Sequence, residues 1–260
     1  MERFLFIGGD LRMRYAAEYL NKLRECTFTK NGTFDAAVLP MPIKSDFDLS
    51  QLDNAVKRGG IVFAGGSFPA LEDYCAEHGL SLRNYLSREE LQVMNAVPTA
   101  EGALEIMLRE LDITVWGARV LITGFGRIGE VMVRMLTALG SKVTVCARRP
   151  EQLAKAEGMG CNPVTFSEEL DGLLPQFDVV INTVPAVVLD EKRLLLMKNG
   201  CLIIDLASKA GTATGTQTGI RIIHALSLPG KTAPITAGKI IGKTIENILR
   251  EENPNGGDES

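Results

Sequence analysis

One run constrains this chain more than any other: Val120-Leu121-Ile122-Thr123-Gly124-Phe125-Gly126-Arg127-Ile128-Gly129. An apolar strand enters Gly-x-Gly-x-x-Gly and leaves it as a helix. Gly124 lets the backbone turn tightly, Gly126 leaves room for a pyrophosphate, and Gly129 lets the helix pack close to the strand. The first N–H groups of that helix then point at the phosphate. Glycines at this spacing discriminate little by themselves. The strand before them and the helix after them make the run a dinucleotide-binding signature.

That helix carries Ile128, Val131, Met132, Met135, Leu136 and Leu139 in steps of three and four, one buried face, and Gly140 stops it. Further strands are expected at residues 143–146, 164–166, 178–183, 201–205 and 220–225, with helices at 151–157 and 191–197. Such alternation builds a parallel sheet covered by helices. The first half repeats the theme more loosely, with strands at 4–7, 36–39 and 61–64. Its first helix places Leu11, Tyr15, Ala16, Tyr19, Leu20 and Leu23 on one face. Ser67 reads as the N-cap of a helix with Pro69 in its first turn and Gly79 beyond its end. Ser87-Arg88-Glu89-Glu90 reads as a capping box.

Between the halves, Pro98 pushes Val97 into extended backbone, and Thr99 caps a helix running to residue 111. A long helix is expected over 237–250, followed by a disordered tail at 251–260. The expected fold is therefore two-domain α/β. A smaller flavodoxin-like domain covers 1–97, and a Rossmann NAD(P)-binding domain covers 98–250. Interdomain helices join them, and the last helix is free to return to the first domain.

At 260 residues, 45% hydrophobic and 23% charged, the chain can bury the cores of two ordinary domains. A net charge of -4 without a basic block argues against a nucleic-acid partner. No apolar run reaches the length of a membrane span. The first residues start a strand and lack a signal-peptide layout. The five cysteines are scattered without Cys-x-x-Cys, which suits reduced thiols in a cytoplasmic protein. His78 and His224 lie far apart in sequence, and no metal cluster is expected.

The second strand of the dinucleotide unit selects the cofactor. An acidic residue there, about twenty residues past the glycines, takes the ribose hydroxyls of NAD. Here the strand ends Cys146-Ala147-Arg148-Arg149, with no carboxylate before Glu151. Two guanidiniums match a 2′-phosphate, so NADP is favoured over NAD. The following strand tips, Thr183-Val184-Pro185 and Asp205-Leu206-Ala207, are placed to line the ribose and nicotinamide. Asp205 suits a loop brace or a helix cap equally well. The cofactor set is thus Gly124, Phe125, Gly126, Arg127, Ile128, Gly129, Arg148, Arg149, Thr183, Val184, Pro185, Asp205 and Ala207.

Several stretches together resemble one family, the A subunits of bacterial dipicolinate synthase. They are Ile7-Gly8-Gly9-Asp10 with Arg12, residues 95–102, the glycine loop, Ile181-Asn182-Thr183-Val184-Pro185, Asp205-Leu206-Ala207-Ser208, and Leu228-Pro229-Gly230 leading into Ala233-Pro234 and Thr236-Ala237-Gly238. The resemblance implies a nicotinamide-binding protein of sporulating bacteria that works with a flavoprotein-like B subunit. Together they convert a hydroxy-tetrahydrodipicolinate into pyridine-2,6-dicarboxylate, with loss of water and removal of hydride to NADP. The chain is shorter than is usual in the family, with the shortfall in the first domain. Where the family tends to continue Arg-Pro-Gly-Gly-x-Asp after Ser208, this chain has Lys209-Ala210-Gly211-Thr212-Ala213-Thr214. The positive charge is kept and the acidic residue is gone.

A small dicarboxylate substrate calls for cations or N–H donors in an interdomain cleft. Arg12, at a helix start, is the leading clamp, with Lys209, Lys231, Ser67 and Thr99 as further substrate-binding candidates. No catalytic base stands out. Glu101 and Asp10 are the carboxylates nearest the expected cleft, and His224 reads as structural within its strand. Two other readings stand beside the first: a generic two-domain NAD(P)-dependent hydroxy- or keto-acid dehydrogenase, and a non-catalytic nucleotide-binding assembly protein. All three are compatible with a homo-oligomer.

Overall fold

The computed structural model describes residues 2–213 and 219–252. The chain divides into two compact units, one formed by Met1–Asn95 with Pro229–Ser260 and the other by Ala96–Leu228. Both are parallel sheets covered by helices. In the first unit the strands are β1 (Arg3–Phe6), β2 (Glu25–Thr27), β3 (Phe34–Val38), β4 (Val56–Ala64) and β5 (Ser81–Asn84), in the order β2-β1-β3-β4-β5. That is the flavodoxin-like order. In the second they are β6 (Arg119–Thr123), β7 (Lys142–Cys146), β8 (Asn162–Val164), β9 (Val179–Asn182), β10 (Leu202–Asp205) and β11 (Arg221–His224), in the order β11-β10-β9-β6-β7-β8. That is the Rossmann order, with its switch point between β6 and β9. The edge strands β2 and β5 escaped the sequence reading because each is short and only half-buried.

In the first unit, helix α1 (Leu11–Leu20) packs against the C-terminal helix, and their facing side chains share one apolar cluster. The buried face of α1 is Arg12, Met13, Ala16, Ala17 and Leu20. This corrects the expected face: Leu11 and Leu23 are exposed, and the charged Arg12 is inside. Helix α2 (Pro69–Glu77) starts with Pro69 at its first turn, but its N-cap is Phe68 and Ser67 is exposed outside it. The expected capping box is not made either. Ser87 donates its N–H to Asn84 Oδ1 at 3.3 Å, while Glu90 accepts from Arg88 Nε at 2.8 Å.

Helix α3 (Glu89–Glu110) runs unbroken through Pro98. Val97 is therefore helical, and Thr99 lies buried in the helix interior, not at a cap. A proline there removes one ladder hydrogen bond and costs ~3 kcal/mol in an isolated helix. Burial offsets it: Leu91 enters the first unit's core, and Ala100, Ala103, Ile106 and Met107 enter the second's. Each large side chain buried contributes about 1.5–3 kcal/mol.

The second unit continues with α4 (Arg127–Ala138), α5 (Pro150–Gly158), α6 (Glu168–Leu173) and α7 (Glu191–Leu196). Met132, Val133 and Leu136 on α4 are buried over the sheet, and Gly140 takes φ +80° just past its end. The five cysteines are unpaired; burial pushes the Cys146 and Cys201 thiols up to about 12.

The chain returns to the first unit through α8 (Leu228–Thr232) and α9 (Pro234–Glu252). Glu251 and Glu252 belong to α9, and they pair with Arg88 and Arg83. Residues 251 and 252, expected to open a disordered tail, are helical, and the rest of that expected tail, 253–260, lies outside the described residues. Gly238 and Gly242 set the distance between α9 and α1. A Cβ on Gly238 would lie 2.5 Å from the Arg12 carbonyl oxygen, and one on Gly242 would lie 2.8 Å from the Tyr19 ring.

Gly238→Ala should lose about 1–3 kcal/mol of stability, as overpacking against backbone does. Gly158→Ala, at a helical position with open space around it, should gain up to about 1 kcal/mol. Urea unfolding of both variants checks the pair.

Candidate functional site

The glycine loop follows β6 and starts α4. Gly124 has φ +87°, and a Cβ there would lie 2.4 Å from Thr183 Oγ1. A Cβ on Gly129 would lie 2.5 Å from the Gly124 carbonyl oxygen, so the helix rests directly on the turn. Gly126 caps α4 and has nothing within 4 Å of a Cβ position. The bare side of this residue, beside a helix N-terminus, fits a pyrophosphate.

A cavity of about 610 Å³ opens over this loop, lined by Gly124, Phe125, Gly126, Ala147, Arg148, Arg149, Gln152, Phe166, Thr183, Val184 and Pro185. It spans the carboxyl tips of β6, β7, β8 and β9. Eight of the thirteen residues assigned to cofactor from sequence line it. Arg127, Ile128, Gly129, Asp205 and Ala207 do not. Gly129 acts through packing, as above. Ala147, Gln152 and Phe166 line it without having been foreseen. Gln152 donates to the Phe125 carbonyl at 2.7 Å and so fixes the glycine loop from α5. The amide in the first turn after Arg149-Pro150 was the available signal for it.

Arg148 and Arg149 are both exposed at the tip of β7. Arg149 pairs with Glu151 at 3.3 Å, while among the described residues Arg148 has no hydrogen bond or ion pair. The donor set thus leaves one guanidinium uncommitted beside the cavity.

The choice between brace and cap for Asp205 falls to the brace. Its side chain is 1% exposed. Oδ1 accepts from Asn182 Nδ2 at 2.8 Å and Ala207 N at 3.1 Å, and Oδ2 accepts from Gly211 N at 2.8 Å and Thr212 N at 3.0 Å. The carboxylate offers nothing to a ribose, and the Ala207 N–H is spent on it. Gly211 must be glycine, since a Cβ would fall 2.2 Å from Asn182 Nδ2. Thr214, the end of the divergent segment, lies outside the described residues.

The substrate-binding candidates fare differently. Arg12, the expected clamp, is buried and committed. Its guanidinium donates to both Asp10 oxygens at 2.6–3.0 Å and to the Met41 carbonyl at 2.6 Å. Asp10 in turn caps α1 through the Arg12 N–H at 2.9 Å. Burial alone would raise the Asp10 carboxyl, but the Arg12 hydrogen bonds and charge hold it below the usual carboxylate range. Arg14, one turn along, faces a second cavity of about 550 Å³ lined by Gly8, Gly9, Asp10, Leu11 and Phe28. Ser67, Lys209, Lys231 and Glu101 are exposed, and Thr99 is buried in α3.

Residues 91–212 match the family model of the D-isomer specific 2-hydroxyacid dehydrogenase NAD binding domain. The chain is 34% identical over 194 residues to the dipicolinate synthase A-subunit of Bacillus subtilis, a match covering 74% of this chain and 65% of that protein. The solved A-subunit structure from Bacillus halodurans superposes with a TM-score of 0.83 at 26% identity, covering 95% of this chain and 97% of the other. That from Bacillus subtilis gives 0.83 and 26%, covering 97% of each. This chain is similar to the dipicolinate synthase A-subunits in sequence and in fold. The aligned segment spans just under two thirds of the Bacillus subtilis protein's length.

Segments that carry the A-subunit resemblance touch one another in space. A Cβ on Gly230, from Leu228-Pro229-Gly230, would lie 2.9 Å from Arg12 Nε and 3.1 Å from Asp10 Oδ2. The Leu-Pro-Gly segment thus packs against the Asp10–Arg12 ion pair of the Gly-Gly-Asp-x-Arg segment. Asn182 and Asp205 join the other two segments in the same way.

Gly126→Val should leave stability within about 0.5 kcal/mol, as surface changes do, and abolish nucleotide binding in a fluorescence titration. Gly129→Ala should instead cost about 1–3 kcal/mol in urea unfolding. The depressed Asp10 carboxyl contributes stability that is complete above the unfolded value of about 3.9 and is lost as pH falls through the lower folded value. Asp10→Asn should therefore be destabilising at pH 7 and nearer to wild type at pH 3, in paired unfolding curves.

Proposed function

We propose that this chain is the NADP-dependent oxidoreductase component of a dipicolinate synthase. It takes hydroxy-tetrahydrodipicolinate to pyridine-2,6-dicarboxylate together with a flavoprotein-like B subunit, in the cytoplasm of a sporulating cell. The observation that carries the cofactor choice is the tip of β7, where Arg148 and Arg149 border the cavity and no carboxylate does. The homology to the A-subunits supports the substrate class and the partner.

The fit to a nicotinamide dinucleotide rests on the chain's own residues. The open side of Gly126 and the N-terminus of α4 would receive the pyrophosphate. Arg148 would take the 2′-phosphate, with Arg149 shared between it and Glu151. Thr183, Val184 and Pro185 form the wall beyond β9. When bound, the nicotinamide supplies the two-electron acceptor. For the dicarboxylate, Lys209 and Lys231 are each exposed cations of their own unit, while Arg12 is buried and spends Nε and Nη2 on Asp10 and the Met41 carbonyl.

A second reading is a dehydrogenase of hydroxy or keto acids that works alone, favoured by the 2-hydroxyacid dehydrogenase match. Anaerobic assay on freshly generated hydroxy-tetrahydrodipicolinate separates the two. Pyridine formation and nicotinamide reduction should appear together, only with NADP and the partner protein present. Synthesis that continues without NADP overturns the proposal, and turnover of a hydroxy acid by the chain alone supports the second reading. Arg148→Ala should weaken NADPH binding roughly ten- to hundredfold, the worth of a hydrogen bond to a charged group, and leave NADH binding unchanged.

A further inference from the structure

We propose that the second unit holds a site for a small organic anion, a phosphorylated or carboxylated metabolite, at the amino ends of β6, β7 and β8. A cavity of about 400 Å³ opens there, within the size range of small-ligand pockets. Arg119, Lys142, Thr144, Asn162 and Gln176 are among the residues that line it, and no carboxylate is. The site is separate from the nucleotide cavity, which lies over the carboxyl tips of the same strands. At 3.3 Å per residue, β7 alone holds Lys142 and Cys146 about 13 Å apart.

The strand register gathers the polar side chains. Arg119 pairs with Lys142, Leu121 with Thr144, and Thr144 with Asn162. Residues in register on neighbouring strands share a face, and so do residues two apart on one strand. Arg119, Lys142, Thr144 and Asn162 therefore project from the same side of the sheet. Gln176 reaches the cavity from the turn before β9 and accepts a hydrogen bond from the Arg119 guanidinium.

Two independent observations point to an anion. The first is charge. Arg119 and Lys142 stand directly opposite each other on adjacent strands, and like charges so placed destabilise a sheet. Among the described residues neither side chain forms an ion pair. The acid of this neighbourhood, Asp178, does not line the cavity; it accepts from the Arg119 backbone N–H at 2.7 Å and pairs with Lys198. An anion between the two cations turns their repulsion into attraction.

The second observation is Thr144. It is 8% exposed, and among the described residues its hydroxyl makes no hydrogen bond. Buried hydroxyls are nearly always paired, because an unpaired one keeps the cost of leaving water. This one stands at the cavity wall, where a ligand oxygen accepts from it. The Lys142 ammonium and the Asn162 amide likewise have no partner among the described residues. The cavity thus presents two cations, a hydroxyl and two amides, a donor set for oxyanions. With a net charge of -4 and no basic block, the chain suits a small anion here and not a polymeric one.

Calorimetric titration of the full chain with inorganic phosphate and, separately, with citrate tests this at constant ionic strength. The cavity variants are Lys142→Ala and Thr144→Val. Lys192→Ala, at an exposed lysine outside the cavity, is the reference, and Arg148→Ala locates the heat by altering the nucleotide cavity. Saturable binding of at least one anion is expected, weakened about tenfold or more by each cavity variant and unchanged by the other two. Binding of phosphate alone assigns a phosphorylated metabolite, and binding of citrate alone a carboxylated one. Thr144→Val should melt no lower than wild type, since it gives up no hydrogen bond within the protein. Lost binding at an undiminished melting temperature is a result that a merely structural threonine does not produce. The absence of saturable binding by both anions, binding that either cavity variant leaves unchanged, or binding lost in Arg148→Ala overturns the proposal.

Discussion

The second unit is organised around a buried carboxylate. An ionised group taken out of water without partners is among the most costly things a fold can contain. Asp205 avoids that cost through one side-chain amide and three backbone N–H groups. Thr123 donates to Asn182 at 2.6 Å, and Asn182 donates to Asp205, so β6, β9 and β10 are tied together at their carboxyl tips. The same Asn182 accepts from Val184 N at 3.1 Å, and Thr183 Oγ1 donates to the Thr123 carbonyl at 2.9 Å. The cavity wall beyond β9 therefore stands where the polar network puts it. Removing one partner of a buried, hydrogen-bonded charge costs about 3–5 kcal/mol, which couples the shape of the site to the stability of the core.

Glycines set the other distances. Gly129 lets α4 touch the turn that precedes it, Gly211 lets a loop fold onto Asn182, and Gly230 and Gly238 let the C-terminal segment lie against Arg12. Each leaves a space that any side chain would fill, and each meets backbone or a committed polar group rather than the far end of a flexible chain. Gly126 differs because its empty side faces no protein atom. The other glycines named here report packing, whereas Gly126 stands open beside a helix N-terminus at the cavity.

The Rossmann half was legible because its signals are redundant. Strand, glycine turn and amphipathic helix agree at residues 120–139, and the strand order follows from the alternation. The first unit was less so. The face of α1 was misread because apolar spacing favoured Leu11 and Leu23, whereas α9, distant in sequence, presses on the side that carries Arg12. Pro98 was read by its local rule, and the rule lost to burial on both sides of it. Arg12 looked like a clamp because sequence reveals a guanidinium but not the Met41 carbonyl waiting for it.

The two sheets also differ in what stands at the helix that follows each glycine turn. Each unit has a switch point, between β1 and β3 and between β6 and β9, where a parallel sheet opens a crevice for ligands. Both turns are glycine-rich, and both lead into a helix. After β1, however, the helix N-terminus is already answered by the ionised Asp10 carboxylate, which is paired with the buried Arg12. An arriving phosphate would meet a negative charge at the spot where the N–H groups point. After β6 the N-cap is Gly126, which has no side chain to occupy that spot, and the nearest side-chain charges at the cavity are guanidiniums. The helix dipole is the same in both units. What differs is whether the chain supplies its own anion at the cap: aspartate at α1, glycine at α4.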